Sequence, residues 1–187
     1  MSTSTKIPDS CPHQGVKALR GESCPAQCEE SQTPLPQRAE SHEFYVRSRW
    51  VGGSQGDGLI GFPNDHDLEY GLPSQLGGLS GRPNPEELLA AAVVSCFSIT
   101  LAIYAEARRL PISTIEASAV AEVRRGKQRL EVTGIRIFPV IAVTSSDANM
   151  VERVLECARR AEESCLITRA LNPNIQITLD PQVRAAQ

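Results

Sequence analysis

Hydrophobic and polar positions change their pattern near residue 41. Residues 1–41 contain five of the 13 prolines, many Ser, Thr and Gln residues, and no hydrophobic periodicity. Such a composition is typical of a loosely draped extension. Residues 42–187 alternate between strand-like and helix-like periodicities, and we predict that they form the folded domain.

The sequence pattern predicts a β-hairpin at the start of the folded domain. Residues 44–50 alternate between apolar and polar side chains, which predicts a half-buried strand with Arg47 and Arg49 on its polar face. The glycine-rich segment 52–58 can turn the chain, and residues 59–62 would return beside the first strand.

A long helix follows. Asn84 suits the N-cap, Pro85 suits the first helical position, and Glu87 completes a capping box, so we predict a helix that runs to about Arg109. Residues 88–105 carry no charge, a length that also fits a membrane span. The many alanines and the charges at both ends favour instead a helix buried in a globular assembly, and we expect no membrane association.

The length of this helix predicts a dimer. Twenty-five residues at about 1.5 Å each form a rod of roughly 37 Å, as long as the whole domain is wide. One small subunit cannot cover every face of an apolar rod of this length, whereas a second copy can.

The remaining elements complete an α+β plan. We predict two strands, a helix that begins at a cap among residues 145–147, and a final strand. Their predicted bounds are Ile112–Arg124 and Leu130–Val143 for the strands, a helix end near Glu163, and a last strand over 175–179. The order of strands, long helix, strands, helix and strand indicates an α+β fold.

Composition excludes several classes of protein. The 19 Lys and Arg against 22 Asp and Glu give a net charge of −3, so no basic field exists to bind nucleic acid. Six cysteines are too few for a disulfide scaffold in 187 residues. The first 20 residues contain no apolar leader segment, and we therefore expect a cytoplasmic protein.

No metal or other cofactor is expected. Cys11, His13, Cys24 and Cys28 could form a zinc knuckle, but the Cys11-Pro-His13 half is too tight to chelate comfortably. The flexible extension is therefore the preferred interpretation. The segment Asp65-His66-Asp67 similarly reads as a solvated turn rather than a metal site.

Two cysteines of the folded domain invite a chemical interpretation. Cys96 lies midway along the long helix, and Cys165 follows the second helix directly. A cysteine in an apolar helix most often acts as a small hydrophobic residue. A thiol with a lowered pKa, however, is a nucleophile, and a second thiol nearby can capture its sulfenic acid as a disulfide. No histidine follows His66, so activation would have to come from an arginine oriented by a carboxylate.

Residues 84–92 together with Cys96-Phe97-Ser98 closely resemble the motif around the first redox cysteine of the OsmC/Ohr family, the osmotically induced and organic hydroperoxide resistance proteins. Residues 76–78 and 163–168 resemble two further segments of that family, and the likeness covers residues 42–182. The resemblance implies an intertwined homodimer in which antiparallel sheets wrap the paired long helices.

The resemblance also implies an activity. It implies a thiol peroxidase that reduces organic hydroperoxides through Cys96, with Cys165 as the resolving cysteine and Glu86 as the family carboxylate. The disulfide between the two cysteines would be reopened by an external dithiol of the lipoyl or thioredoxin type.

The chain departs from the family pattern at the activating arginine. Threading from Trp50 places Gln55 at that position, and an amide cannot lower a thiol pKa by charge. Arg47, Arg49 and Arg82 are the candidates to replace it, and we predict that Arg49 does so, paired to Glu86.

An alternative follows from the same departure: the fold persists as a ligand-binding or stress-associated protein with little peroxidase turnover. The remaining differences are the 41-residue extension and Leu166, where the family commonly has proline.

Overall fold

The computed structural model describes residues 41–78, 81–145 and 147–186. The predicted extension, with Cys11, His13, Cys24 and Cys28, lies outside the described residues. In chain order the elements are β1 (Arg47–Val51), β2 (Asp57–Gly61), β3 (Asp67–Tyr70), a 3₁₀ turn (Ser74–Leu76), α1 (Pro85–Ala107), β4 (Ile112–Arg125), β5 (Leu130–Val143), α2 (Ala148–Ser164), α3 (Leu166–Leu171), β6 (Gln176–Leu179) and β7 (Gln182–Ala185).

The strands form two sheets, which confirms the α+β class. The first is antiparallel in the order β1-β2-β3. The second is built on a long antiparallel hairpin of β4 and β5, and β6 and β7 both pair with β5 in parallel. The bounds predicted for β4 and β5 agree with the structure to within one residue.

The first sheet differs from its sequence-based prediction. All five residues of β1 are exposed in the single chain, so the strand is not half-buried here. The segment interpreted as a solvated turn ends in β3, a strand that the periodicity did not reveal. Phe62 N–H donates to the carbonyl of His66 at 3.1 Å to close the turn, and Asp67 lies 3.6 Å from Arg47 in an ion pair across the sheet.

Helix α1 begins as the sequence predicts. Asn84 Oδ1 accepts from Glu87 N–H at 2.9 Å, and Glu87 Oε2 accepts from Asn84 N–H at 3.0 Å, so the capping box is complete. The buried residues of α1 recur every three or four positions and face β4, β5 and α2: Ala90, Val93, Phe97, Leu101 and Ala105. The helix therefore packs along one stripe.

The core lies between α1, α2 and the face of β5. Phe97 and Leu101 of α1 pack in one cluster with Ile137 of β5 and Val154 of α2. Asp147 caps α2 by accepting from Met150 N–H at 2.9 Å. Because α1 and α2 share this core, the middle of α1 lies close to the end of α2, where α3 begins.

By length and composition alone, α1 could cross a membrane, and 28% of its most apolar 18-residue window is buried in the single chain. The core helix of a globular protein meets the same criteria, and the packing of α1 against β4 and α2 agrees with that interpretation.

Candidate active site

Cys96 lies on the edge of the buried stripe of α1, next to Phe97. Phe97 is fully buried in the core, whereas Cys96 is partly exposed. The helix therefore holds the Cys96 thiol at the border between the core and the solvent, where a small molecule can reach it.

Cys165 lies where α2 ends and α3 begins. Its backbone is extended, with φ −61° and ψ 125°, so the chain changes direction at this residue and starts a new helix. Cys165 N–H still donates to Glu162 of α2 at 3.2 Å, and Cys165 C=O already accepts from Arg169 of α3 at 3.0 Å. The side chain is 0% exposed.

The two thiols meet, although 69 residues separate them in the chain. Burial raises the pKa of the Cys96 thiol, but hydrogen bonds from the Cys165 thiol and from the backbone N–H groups of Ile167 and Leu166 outweigh burial, so the pKa lies below its ordinary value. The nearby Thr100 hydroxyl donates its proton to the Cys96 carbonyl at 2.8 Å, so we assign the stabilisation of the sulfur to the other three donors.

Cys165 shows the opposite behaviour. Burial raises the pKa of the Cys165 thiol, and the hydrogen bond with Cys96 raises it further. The pair therefore favours one thiolate, on Cys96, held by a protonated Cys165. This is the arrangement expected of a nucleophilic thiol and a second thiol waiting to react with it.

Sequence reasoning missed these donors. It expected a cation to offset the effect of burial on Cys96, because Cys96 is remote from the start of its own helix. The main donors instead come from Cys165 and the first turn of α3, and they lower the pKa without an arginine. No local motif announces them, since Leu166 and Ile167 act through their backbone.

A third cysteine provides a contrast. Cys157 of α2 is 0% exposed, and burial raises the pKa of its thiol, with Arg108 only partly offsetting the effect. Cys157 is thus a core residue whose thiol is a poor nucleophile.

Glu86 lies in a different place. It is in the first turn of α1, ten residues before Cys96, which corresponds to about 15 Å along the helix axis. Its Oε2 atom is buried and finds no hydrogen-bond partner among the described residues. Glu86 lines a largely apolar cavity of about 470 Å³ that also contacts Leu76 and Val120. In one chain, Glu86 and Cys96 are too far apart to touch.

The arginine candidates also lie apart from the thiol pair. Arg49 is exposed on β1, opposite Leu59, and forms no ion pair within the described residues. Arg82 donates from Nε to Glu69 at 3.1 Å and also pairs with Asp57, so its guanidinium is bound to two carboxylates.

Gln55, at the position of the family arginine, donates to the Gly77 carbonyl at 3.1 Å. The structure thus brings Cys96 and Cys165 together, while the roles predicted for Glu86 and Arg49 stay predictions.

Comparisons with known proteins agree with the resemblance seen in the sequence. A profile described as OsmC-like protein matches residues 77–180. Over 142 residues the chain is 27% identical to peroxiredoxin OsmC of Escherichia coli, an alignment that spans 74% of this chain and 95% of that protein. The chain belongs to the OsmC-like family.

Another relative of this OsmC-like chain is the uncharacterised protein YmaD of Bacillus subtilis, which is 28% identical over 145 residues. That alignment covers 76% of this chain and 95% of YmaD.

Solved structures share the fold. An OsmC-like protein of unknown function from Vibrio cholerae superposes with a TM-score of 0.67 at 15% identity, covering 75% of this chain and 99% of that one. An organic hydroperoxide resistance protein OsmC from Legionella pneumophila superposes with a TM-score of 0.59 at 19% identity, covering 76% and 100%.

Within residues 41–78, 81–145 and 147–186, no three His, Cys, Asp or Glu side chains cluster closely enough to hold a metal ion. The groups that the structure brings together at this site are the thiols of Cys96 and Cys165.

Proposed function

We propose that this OsmC-like protein is a thiol-dependent peroxidase that reduces organic hydroperoxides, with Cys96 as the peroxidatic and Cys165 as the resolving cysteine. The observation that carries the proposal is the juxtaposition of Cys96 on α1 with the buried Cys165 at the start of α3, in which the partly exposed Cys96 has the lowered pKa. The names of the relatives, peroxiredoxin OsmC and organic hydroperoxide resistance protein, support the same class of reaction.

The reaction follows from the protonation states. The Cys96 thiolate attacks the distal oxygen of the hydroperoxide, the O–O bond breaks, and the alkoxide leaves as an alcohol after taking up a proton. Cys96 is then a sulfenic acid. Cys165, once deprotonated, attacks the Cys96 sulfur and releases hydroxide, which becomes water on protonation. An external dithiol reduces the resulting disulfide by two exchange steps.

The surroundings of Cys96 favour an alkyl substrate. Leu166, whose backbone helps to lower the pKa of Cys96, is 73% exposed, and Ile167 beside it is half-buried. An alkyl chain on the hydroperoxide could cover these side chains and gain roughly 25 cal/mol per Å² of apolar area removed from water. Hydrogen peroxide has no group that could make this contact.

We further propose a cytoplasmic homodimer. Ile99 and Ile103, on the face of α1 away from the core, are 62% and 57% exposed, and Phe44 ahead of β1 is 94% exposed. A second copy would cover this surface, as the family resemblance implies. A dimer would also allow Glu86 and Arg49 of one subunit to approach Cys96 of the other, whereas about 15 Å separates Glu86 from Cys96 along one helix.

A second function is favoured by Gln55. Its side chain replaces the family arginine and bonds to Gly77 instead of supplying charge. If the thiol pair needs that charge to react, the protein would bind a ligand in the apolar cavity beside Glu86 and turn over little peroxide.

The deciding experiment titrates the full-length protein with cumene hydroperoxide in the presence of dihydrolipoamide. We expect catalytic consumption of the hydroperoxide, and unreduced peptide mapping after one equivalent should find a Cys96–Cys165 disulfide. Hydroperoxide consumption at the background rate would refute the peroxidase and leave the binding protein. Sulfinic acid on Cys96 with no disulfide would refute the resolving role of Cys165.

A further inference from the structure

Thr168 is the one polar side chain that is buried within the described residues. It lies in α3, three residues after Cys165, and is 3% exposed. Its Oγ1 atom has no hydrogen-bond partner among the described residues. A buried hydroxyl without a partner is unfavourable, so its presence at this position calls for an explanation.

The local backbone explains why Thr168 lacks the usual partner. Buried hydroxyls on helices generally donate to the carbonyl four residues earlier, as Ser98 does to Val94 at 2.9 Å. For Thr168 that carbonyl belongs to Ser164, the last residue of α2, before the chain changes direction at Cys165. The turn between the two helices therefore leaves the Thr168 hydroxyl available.

Thr168 stands three residues after Cys165, the residue at the N-cap of α3. Burial raises the pKa of the Cys165 thiol, and the side chain and the N–H of Thr168 act against that rise. In the reduced state Cys165 donates its proton toward Cys96, and its sulfur makes no capping hydrogen bond to α3. The donors of Thr168 thus face a sulfur that does not yet carry the charge they could stabilise.

We propose that Thr168 is a stabilising residue for the Cys165 thiolate, donating its O–H and N–H to that sulfur when the charge moves from Cys96 to Cys165. The inference rests on the proposed redox function and adds a residue to it. The first turn of α3 would then stabilise both sulfurs. The N–H groups of Leu166 and Ile167 stabilise the Cys96 thiolate, and Thr168 stabilises the Cys165 thiolate.

The Cys165 thiolate arises twice in the cycle. First, Cys165 loses its proton and attacks the sulfenic acid, so that the S–S bond forms and hydroxide leaves. Second, a thiolate of the external dithiol attacks the disulfide at Cys96, because Cys165 is 0% exposed, and the S–S electron pair departs on Cys165. A mixed disulfide with Cys96 results, and the second thiol of the reductant resolves it.

The test uses Thr168→Val, which keeps the shape and removes the hydroxyl, with Thr168→Ser as the rescue variant. In the full-length protein, diamide first oxidises the two thiols to the disulfide, and the rate of its reduction by dihydrolipoamide is then measured. We expect Thr168→Val to be about tenfold slower than the wild type, and Thr168→Ser to match the wild type. Ser98→Ala, which removes a hydroxyl that serves only the helix, should also match it.

A second readout separates charge stabilisation from a structural role. After one equivalent of cumene hydroperoxide, the rate of disulfide formation should reach its midpoint at higher pH in Thr168→Val, since the Cys165 thiolate is less stable there. If Thr168→Val does not fold, Thr168→Ala carries the same two expectations.

Equal reduction rates and an unshifted pH midpoint would overturn the role of Thr168. A slower rate that Thr168→Ser does not restore would also overturn it, because packing alone would then explain the loss. Because diamide forms the disulfide without peroxide, the reduction measurement tests Thr168 even if hydroperoxide turnover fails.

Discussion

The N-terminal end of α1 and the rest of the helix differ in how many of their packing and hydrogen-bond partners come from the same chain. At its middle and C-terminal half, α1 packs on α2 and β5, and the Cys96 thiol finds donors from Cys165 and α3 within the same chain. At its N-terminal end, Glu86 has a buried oxygen without a partner in the described structure, and β1 exposes all five of its residues.

The reacting thiols and the groups around Glu86 therefore depend on different parts of the assembly. The thiol pair is assembled by the tertiary core, so its pKa order is a property of the single subunit. The Glu86 end has apolar surface and an unsatisfied carboxylate oxygen, features that a second subunit would cover. The predictions below test whether this division holds.

The largest effect should come from the thiol pair. We expect Cys96→Ser to reduce hydroperoxide consumption to the background rate, because no other described thiol combines exposure with a lowered pKa. The buried Cys157 is the matched control, and Cys157→Ala should retain turnover within about twofold. Turnover is followed as loss of cumene hydroperoxide under dihydrolipoamide. Equal loss of activity in both variants would contradict the assignment of Cys96.

A charge on the exposed face of α1 should break the proposed dimer. Ile99 is 62% exposed in one chain, and Ile99→Glu would place a carboxylate in the proposed interface, where its desolvation is costly. We expect light scattering to show dimers for the wild type and monomers or aggregates for the variant. Ala148→Glu adds the same charge at an exposed position of α2 and should stay dimeric. A wild-type protein that is a folded monomer at micromolar concentration would refute the dimer.

Alkylation of Cys96 as a function of pH measures how much Cys165, beside it, and Arg49, in the first sheet, each lower its pKa. Removing the Cys165 donor in Cys165→Ala should raise the pKa of Cys96, so we expect alkylation at neutral pH to slow about tenfold. If Arg49 adds charge from the other region, Arg49→Ala should raise the pKa as well, and Arg49→Lys should restore it only partly because an ammonium lacks the planar two-pronged contact.

Mass spectrometry of the Cys96 peptide gives the alkylated fraction at each pH. Identical curves for the wild type and both Arg49 variants would remove Arg49 from the site. An unchanged curve for Cys165→Ala would show that the thiol contact does not activate Cys96.

The smallest effect should come from Arg82, which ties the loop before α1 to the first sheet. Arg82→Gln removes exposed ion pairs to Asp57 and Glu69, so we expect a slight loosening of that sheet rather than unfolding. The single tryptophan, Trp50 on β1, provides a fluorescence readout of its local melting. Arg129→Gln, which breaks only the pair with Glu131 on β5, should leave the signal unchanged. A large drop in global stability would contradict this prediction.

Local rules in the sequence were sufficient for much of the fold. The capping box of Asn84 and Glu87 marks the start of α1, and alternation sets the bounds of β4 and β5, because caps and periodicities depend on neighbours along the chain. Strands β3 and β7 escaped the same reasoning, since each is defined by its pairing with a neighbouring strand, β2 or β5, rather than by its own pattern.

The pattern of apolar residues was enough to place Cys96 on an apolar helix and Cys165 directly after the next helix, and a family motif suggested that the two react together. The groups that lower the pKa of Cys96 could be identified only from the folded chain. The Leu166 and Ile167 donors are backbone N–H groups, which every such residue carries, so no side-chain pattern distinguishes them. They matter because the shared core of α1 and α2 brings the break at Cys165 against the middle of α1, a contact that depends on packing over 69 residues of chain.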